Sequence, residues 1–291
     1  MSIESLPHSP LGAGATFYFG PPGAPAGFST NGSPFVARDV FVGCKHDENA
    51  AWSLLPAFAS RPGTLEPLPR GRYGRFLAWT GDKWMIGPLV FKLCTPFTLE
   101  AIDDQQFAYA PLVCGYLEYD NSHSGATAEL IFGMGAHATP FDSAGARGWQ
   151  FDSSCGFATE ATEEVRVVEG RDALNLDVGP LSGLKFAVPP HSKRVFRLVL
   201  AWHANELYAS RWFGDVRSTL LYGLKNHERY VALSDQRDAE FMRSSISFDE
   251  KTQLARETRT WLAATQRSVG DPAFDLSPLE KVAARIRSRA P

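Results

Sequence analysis

The feature that most constrains this chain is a change of hydrophobic period at Asp215. Before it, Gly, Pro and aromatic residues break the sequence into apolar runs of strand length. After it, Val216, Leu220, Leu221 and Leu224 recur at i, i+4, i+5 and i+8, and no proline follows until Pro272. Strand period followed by helix period is the pattern of a chain that builds sheets first and helices second. The first helical run predicts one continuous helix from Asp215 to Arg243, roughly 40 Å long at 1.5 Å per residue. Ser247 then opens another helix: Ser247-x-x-Glu250 reads as a capping box, and Leu254, Thr258, Trp261 and Leu262 form one narrow apolar face. The stretch Tyr208 to Gln266 is therefore a brace leading into a new helical layer.

Upstream, 20 prolines and 25 glycines lie mostly as single breakers in the first two-thirds, and 12% of residues are aromatic. That composition favours many short strands, and 44% hydrophobic residues supply a large core. Strands are expected at Thr16 to Phe19, Asp39 to Gly43, Trp52 to Phe58, Trp149 to Ala158, Glu163 to Val168, Ala173 to Val178, Leu184 to Val188 and Arg194 to Trp202. Phe107 to Asp120 and Thr127 to Met134 read as the arms of a hairpin around a polar, Gly-containing turn. Pro21 to Pro34 and Arg61 to Pro69 read as loops. The fold class this implies is mainly β: a large antiparallel β-sandwich, or supersandwich, followed by a few C-terminal α-helices.

Several function classes drop out. A formal charge of −3 gives no footprint for nucleic acid or an anionic membrane. No apolar run approaches the ~20 residues of a membrane helix, and MSIESLPHSPLG lacks the basic and apolar regions of a secretory signal. Cys44, Cys94, Cys114 and Cys155 are widely spaced, so buried free thiols in a reducing cytoplasm are expected. His46, His123, His137, His191, His203 and His227 lack metal-ligand spacing, and Gly133-Met134-Gly135 is not completed into a nucleotide-binding loop, so neither metal nor cofactor is expected. That glycine pair reads instead as backbone crowding or a turn.

The run HSPLGA-x-A-x-F at His8 to Phe17, the DVFVG strand after a Gly/Pro loop, and Leu54-Leu55-Pro56-Ala57-Phe58 closely resemble the start of glycoside hydrolase family 52, the β-xylosidases. Arg75 to Phe97 is similar too, with Trp79-Thr80-Gly81-Asp82-Lys83-Trp84, Gly87-Pro88-Leu89 and Thr95-Pro96-Phe97 in the family's order. So are Ser210-Arg211-Trp212-Phe213 and the helix Phe248 to Gln266. The resemblance implies a sandwich domain over 1–205, a linker helix and the first helix of a truncated helical domain over 206–268, and a divergent short helical tail over 269–291. It also implies retaining hydrolysis of xylo-oligosaccharides by two carboxylates about 5–5.5 Å apart. In the family both lie in an α/α barrel downstream of everything matched here. No residue of this chain inherits either role, and the chain alone is expected to be inactive.

The implied partners are that α/α barrel catalytic domain or a second subunit, and xylo-oligosaccharide. His8, Ser9, Arg211 and Trp212 are the candidates for sugar or domain-interface contact. Ser9 reads equally as a turn residue bonding its own backbone ahead of Pro10. Asp103, Asp104, Glu118 and Asp120 read as solvated edge charges, and Trp52, Trp79, Trp84, Trp149, Trp202 and Trp212 mostly as core filler. A free-standing carbohydrate-binding or protein-interaction module is the alternative function. The two differ in one respect. A fragment awaiting its partner exposes an apolar stripe along Val216, Leu220, Leu224, Leu254 and Trp261, whereas an independent module covers it with its own tail.

Overall fold

Apolar side chains on both faces of the longest strands demand a layer on each side, and that requirement sets the architecture. The computed structural model describes residues 6–21, 26–30, 33–55, 73–95, 104–152, 154–174, 180–266 and 275–289. In chain order, β1 (Leu6–His8), β2 (Ala15–Phe19), β3 (Gly27–Thr30) and β4 (Ser33–Arg38) form a four-stranded antiparallel meander. Then come β5 (Val40–Lys45), β6 (Ser53–Leu55), β7 (Gly74–Leu77), β8 (Gly81–Ile86), β9 (Leu89–Cys94), the helical turn α1 (Gln105–Ala108) and β10 (Leu112–Asp120). They are followed by β11 (Ala128–Met134), β12 (Thr139–Ser143), β13 (Ala146–Phe151), β14 (Cys155–Glu160), β15 (Val165–Glu169), the turn α2 (Arg171–Leu174), β16 (Ser182–Val188) and β17 (Lys193–Trp202). A 3-10 turn at Tyr208–Arg211 leads to α3 (Val216–Lys225), α4 (His227–Arg243), α5 (Phe248–Ala264) and α6 (Ser277–Ser288).

An eight-stranded sheet, ordered β12-β13-β14-β17-β10-β9-β8-β7, faces a five-stranded sheet, ordered β15-β16-β11-β5-β6. All pairings are antiparallel. The core between them shows the sheet period of two. Val113, Leu117 and Tyr119 of β10 and Leu198, Leu200 and Trp202 of β17 point inward, while Leu112, Cys114, Val199 and Ala201 point the other way. Phe132 bridges the two sheets, its ring 6.0 Å from Phe91 and 5.0 Å from Phe157. On the far side of the large sheet, α3 lays Val216, Leu220 and Leu224 against β10, β14 and β17. Fully burying such side chains contributes about 1.5–3 kcal/mol each.

The observed fold class is the expected one, a mainly β structure followed by helices, but several local expectations are corrected. The segment from Pro21 to Pro34 is not all loop: β3 and the start of β4 lie in it, because Phe28 finds a buried place across from Phe17. β10 and β11 are not a hairpin. They belong to different sheets, so the turn after Asp120 carries the chain across the sandwich. The stretch from Trp149 to Ala158 is two strands that pair with each other around Asp152, whose φ of 49° folds the chain back. Arg171–Leu174 is helical rather than extended, and residues 175–178 of that expected strand lie outside the described residues. So do residues 56–58 of the Trp52 to Phe58 strand, Arg61 to Pro69, Pro96, Phe97 and Asp103.

The expected continuous helix breaks at Asn226 (φ −104°, ψ 9°). Its side-chain amide donates to the Tyr222 carbonyl, competing with the backbone ladder. Beyond the break, His227 Nε2 donates to Gly115 O at 2.6 Å, and Tyr230 stacks on Phe107 with centroids 3.9 Å apart, so α4 is redirected over β8, β9 and β10. Ser247 caps α5 through Glu250 N, but the Glu250 side chain ion-pairs with Arg285 of α6, which leaves a half box. The complete box belongs to Asp215 and Ser218 at the start of α3. At α6, Asp275 serves the first turn, accepting from Ser277 N.

The expected apolar stripe is not an exposed one. Val216, Leu220 and Leu224 are buried on the sheet, and α6 docks Leu279, Ala283 and Ile286 beside Leu254, Ala255 and Leu262 of α5. The tail thus covers the helical layer. Trp261 remains half-buried in a groove with Leu279 and Val282.

Candidate functional site

The HSPLGAGA segment begins at β1 and must double back within six residues to start β2. Gly12 (φ 71°) and Gly14 (φ 59°) take left-handed conformations that a side chain would strain. Ser9 Oγ closes the turn by donating to Ala15 O at 2.6 Å. The loop docks on the end of α5. Gly12 N donates to Thr265 Oγ1 (2.9 Å), Gly14 N donates to Thr265 O (3.1 Å), and Ala13 bridges to Gln266.

Beneath this loop lies a buried network of charged and polar groups. His8 Nε2 donates to Asp82 Oδ2 at 3.0 Å and its Nδ1 accepts from Thr95 Oγ1 at 2.9 Å, so the ring is the neutral Nε2–H tautomer. The same Asp82 oxygen accepts from Arg75 Nη2 (2.9 Å) and Arg259 Nη1 (3.0 Å). Arg259 donates further to the carbonyls of Ala78 (3.1 Å), Trp79 (3.3 Å) and Gly81 (2.7 Å). Burial pushes the Asp82 carboxyl up, but the Arg259 and Arg75 guanidiniums outweigh it and hold the carboxyl far below the usual range. Burial and Arg259 likewise hold His8 down, to about 4.

The Trp79-Thr80-Gly81-Asp82 turn between β7 and β8 is the socket for the helices. Trp79 Nε1 donates to Thr258 Oγ1 of α5 at 3.1 Å, and Thr80 donates through N (2.7 Å) and Oγ1 (2.9 Å) to Asp238 of α4. A Cβ on Gly81 would sit 3.0 Å from Asp238 Oδ2 and 3.1 Å from Leu93 O, closer than side chains ordinarily pack, so the socket closes tightly over glycine. Four consecutive residues thereby tie two helices to one sheet edge.

Of the four sequence candidates, His8 and Ser9 come together in this seam, both inaccessible to solvent. Arg211 and Trp212 stand in a different neighbourhood. The Arg211 guanidinium lies over the Tyr208 ring at 4.4 Å, and Trp212 meets the same ring edge-on at 5.3 Å, packed between the two helical cores. Arg75, Asp82 and Arg259 were not singled out from sequence. The available signal was Arg259, a charge beside Thr258 on an otherwise apolar helix face. Asp104 caps α1 and pairs with Arg229, Glu118 pairs with Lys193, and Asp120 accepts from the Ser122 amide.

Beside the seam, the HSPLGAGA loop forms one wall of an open pocket of about 160 Å³. Ala13, Gly14 and Ala15 face Thr30 from the end of β3, Ser154 from the β13–β14 turn, and the Trp202 to Leu207 segment that leaves β17. His203 N donates to Ser154 O at 2.8 Å, and the His203 Nε2 bonds Asn205 Oδ1 at 3.1 Å.

A model of the family described as glycosyl hydrolase family 52 matches residues 17–274. A beta-xylosidase from Geobacillus stearothermophilus is 23% identical over an alignment of 325 residues, which covers 89% of this chain and 51% of that protein. The chain therefore spans about half the length of the curated relative it matches. A solved structure described as a candidate kojibiose phosphorylase from human microbiome aligns with 87% of this chain and 35% of its own at 9% identity. Its TM-score is 0.34.

Proposed function

The chain belongs to glycosyl hydrolase family 52, and from that membership we propose that it is the scaffold part of a β-xylosidase-type assembly. Its sandwich holds and closes a helical catalytic unit of the α/α barrel type, supplied by a barrel domain or a second subunit. Xylo-oligosaccharide hydrolysis then belongs to the assembly and not to this chain alone. The observation that carries the reading is the seam: Asp82, Arg75 and Arg259, with the neutral His8, spend buried charge on joining the sandwich edge to α5. Such a network is costly to desolvate and fixes geometry more than it adds stability, which suits a part whose task is to hold helices in register. Asp104, Glu118 and Asp120 are each engaged in a cap, an ion pair or a turn.

The covered stripe favours a second reading, a free-standing carbohydrate-binding or interaction module, since α6 occupies the helical face that a partner would otherwise take. Hydrolysis of an aryl β-xyloside by the purified, folded chain tests both. No turnover beside an active β-xylosidase control is expected. Turnover that disappears on changing Asp104 or Glu118 would place an active site in the sandwich and overturn both readings.

A further inference from the structure

The helix that closes the helical layer is lightly tied to it. α6 spans 12 residues and begins beyond residues 17–274, over which the chain matches its family, whereas α4 and α5 lie within that match. It seats on them through Leu279, Ala283 and Ile286, spaced i, i+4 and i+7 on one face, against Leu254, Ala255 and Leu262 of α5. Among the described residues, the polar ties across the seat are the Arg285–Glu250 ion pair and the donation of Ser245 N (2.8 Å) and Oγ (3.2 Å) to Arg289 O. Isolated helices of this length are marginal in water, so α6 holds its shape by docking. The fit is open along one side. A groove of about 270 Å³ remains between Trp261 of α5 and Leu279 and Val282 of α6, and side chains that line it forgo packing there.

Undocking of α6 is offset within α5. Ser247 Oγ accepts from Glu250 N while the Glu250 side chain is drawn away to Arg285. Once released, that carboxylate can turn back to the Ser247 backbone N–H and complete the capping box. We propose that α6 is a reversible cover, an intramolecular competitor that occupies the α4–α5 face and yields it to an amphipathic helix of the helical unit this chain holds. The incoming helix takes the same seat by the same chemistry: an apolar face at i, i+4 and i+7, flanked by basic residues. α6 itself sets Lys281, Arg285 and Arg287 against a single Glu280, and α5 answers with Asp249 and Glu250 in its first turn. The proposal rests on the scaffold reading for the source of that helix. It also joins the two readings above, since the face is covered in the free chain and open in the assembly.

Fluorescence anisotropy of a labelled peptide of residues 275–291 tests this on the full chain, as wild type and as the Leu279→Asp, Ile286→Asp double variant, which alters α6 and leaves its seat intact. Saturable binding to the variant is expected, weaker by about tenfold or more for the wild type, whose own α6 holds the face most of the time. The peptide carrying both aspartates should not bind, and added salt should weaken binding of the native peptide. Hydrogen exchange on the wild type gives an independent readout, which decides the matter if the variant fails to fold. The amides of α6 should exchange about tenfold or more faster than those of α5, through local opening. Equal protection of the two helices overturns the proposal, as does a variant that circular dichroism shows folded yet that takes up no peptide. Equal binding of the peptide by wild type and variant overturns it too. Failure here leaves the scaffold reading to its own test, whereas hydrolysis of the aryl xyloside by the chain alone would sink that reading without touching the movement of α6.

Discussion

At His8 the fold and the solvent compete for one proton. An unfolded histidine titrates near 6.5, whereas burial and Arg259 hold the folded imidazole at about 4. As pH falls through that interval the unfolded chain takes up a proton that the folded chain refuses. The stability His8 contributes is therefore full above pH ~6.5 and falls toward pH ~4, by on the order of 3 kcal/mol. Asp82 acts in the same direction further into acid: its carboxyl is held below the unfolded value of about 4, so its contribution is present above that pH and lost below it. Urea midpoints measured from pH 7 down to pH ~4 should drop, and His8→Gln should flatten the drop. An unchanged slope in His8→Gln would mean that His8 is not the group that titrates. Sequence reading picked out His8 and Ser9 by their motif, but their partners come from 74 and 87 residues away for His8, and Asp82 reaches 177 residues to Arg259. No local pattern encodes such a meeting.

The helical elements show why period alone under-determines an element's course. The i, i+4 spacing of Val216, Leu220 and Leu224 identified the buried face of α3, yet the break at Asn226 arises from a side-chain amide and from what His227 finds on β10. Gly223 marks how closely α3 approaches the sheet. A Cβ there would lie 2.6 Å from Val199 Cγ1 and 3.0 Å from Leu112 Cδ2, both held in strands. Gly223→Val should therefore destabilise the protein by about 1–3 kcal/mol through overpacking, despite glycine's poor helix propensity. Chemical denaturation checks this, and a raised midpoint would show that the interface between α3 and the sheet has room. The strands carry the same lesson in reverse: β10 and β11 alternate correctly as strands, but which sheet each joins depends on β17, β9, β16 and β5, not on the turn between them.

Over the whole molecule, three layers, with the eight-stranded sheet in the middle, leave the cysteines no path to solvent. Cys44, Cys94, Cys114 and Cys155 are all buried and free, and burial raises every thiol, Cys44 and Cys155 to about 12 and Cys94 to about 11. Only thiolates react readily. A thiol reagent at mildly alkaline pH should thus leave the folded chain untouched while labelling all four cysteines in urea. Fast labelling of even one native thiol would show that a layer opens. The sequence by itself determined the order of strands before helices, the buried face of α3, and the family, because periodicity, breakers and motifs are local and survive in one dimension. The tertiary structure alone decided that β3 is a strand, that α6 covers α5, and that an arginine on an apolar helix face finds Asp82. Each of those depends on groups distant in the chain, whose burial and hydrogen bonding are settled only when the layers close on one another.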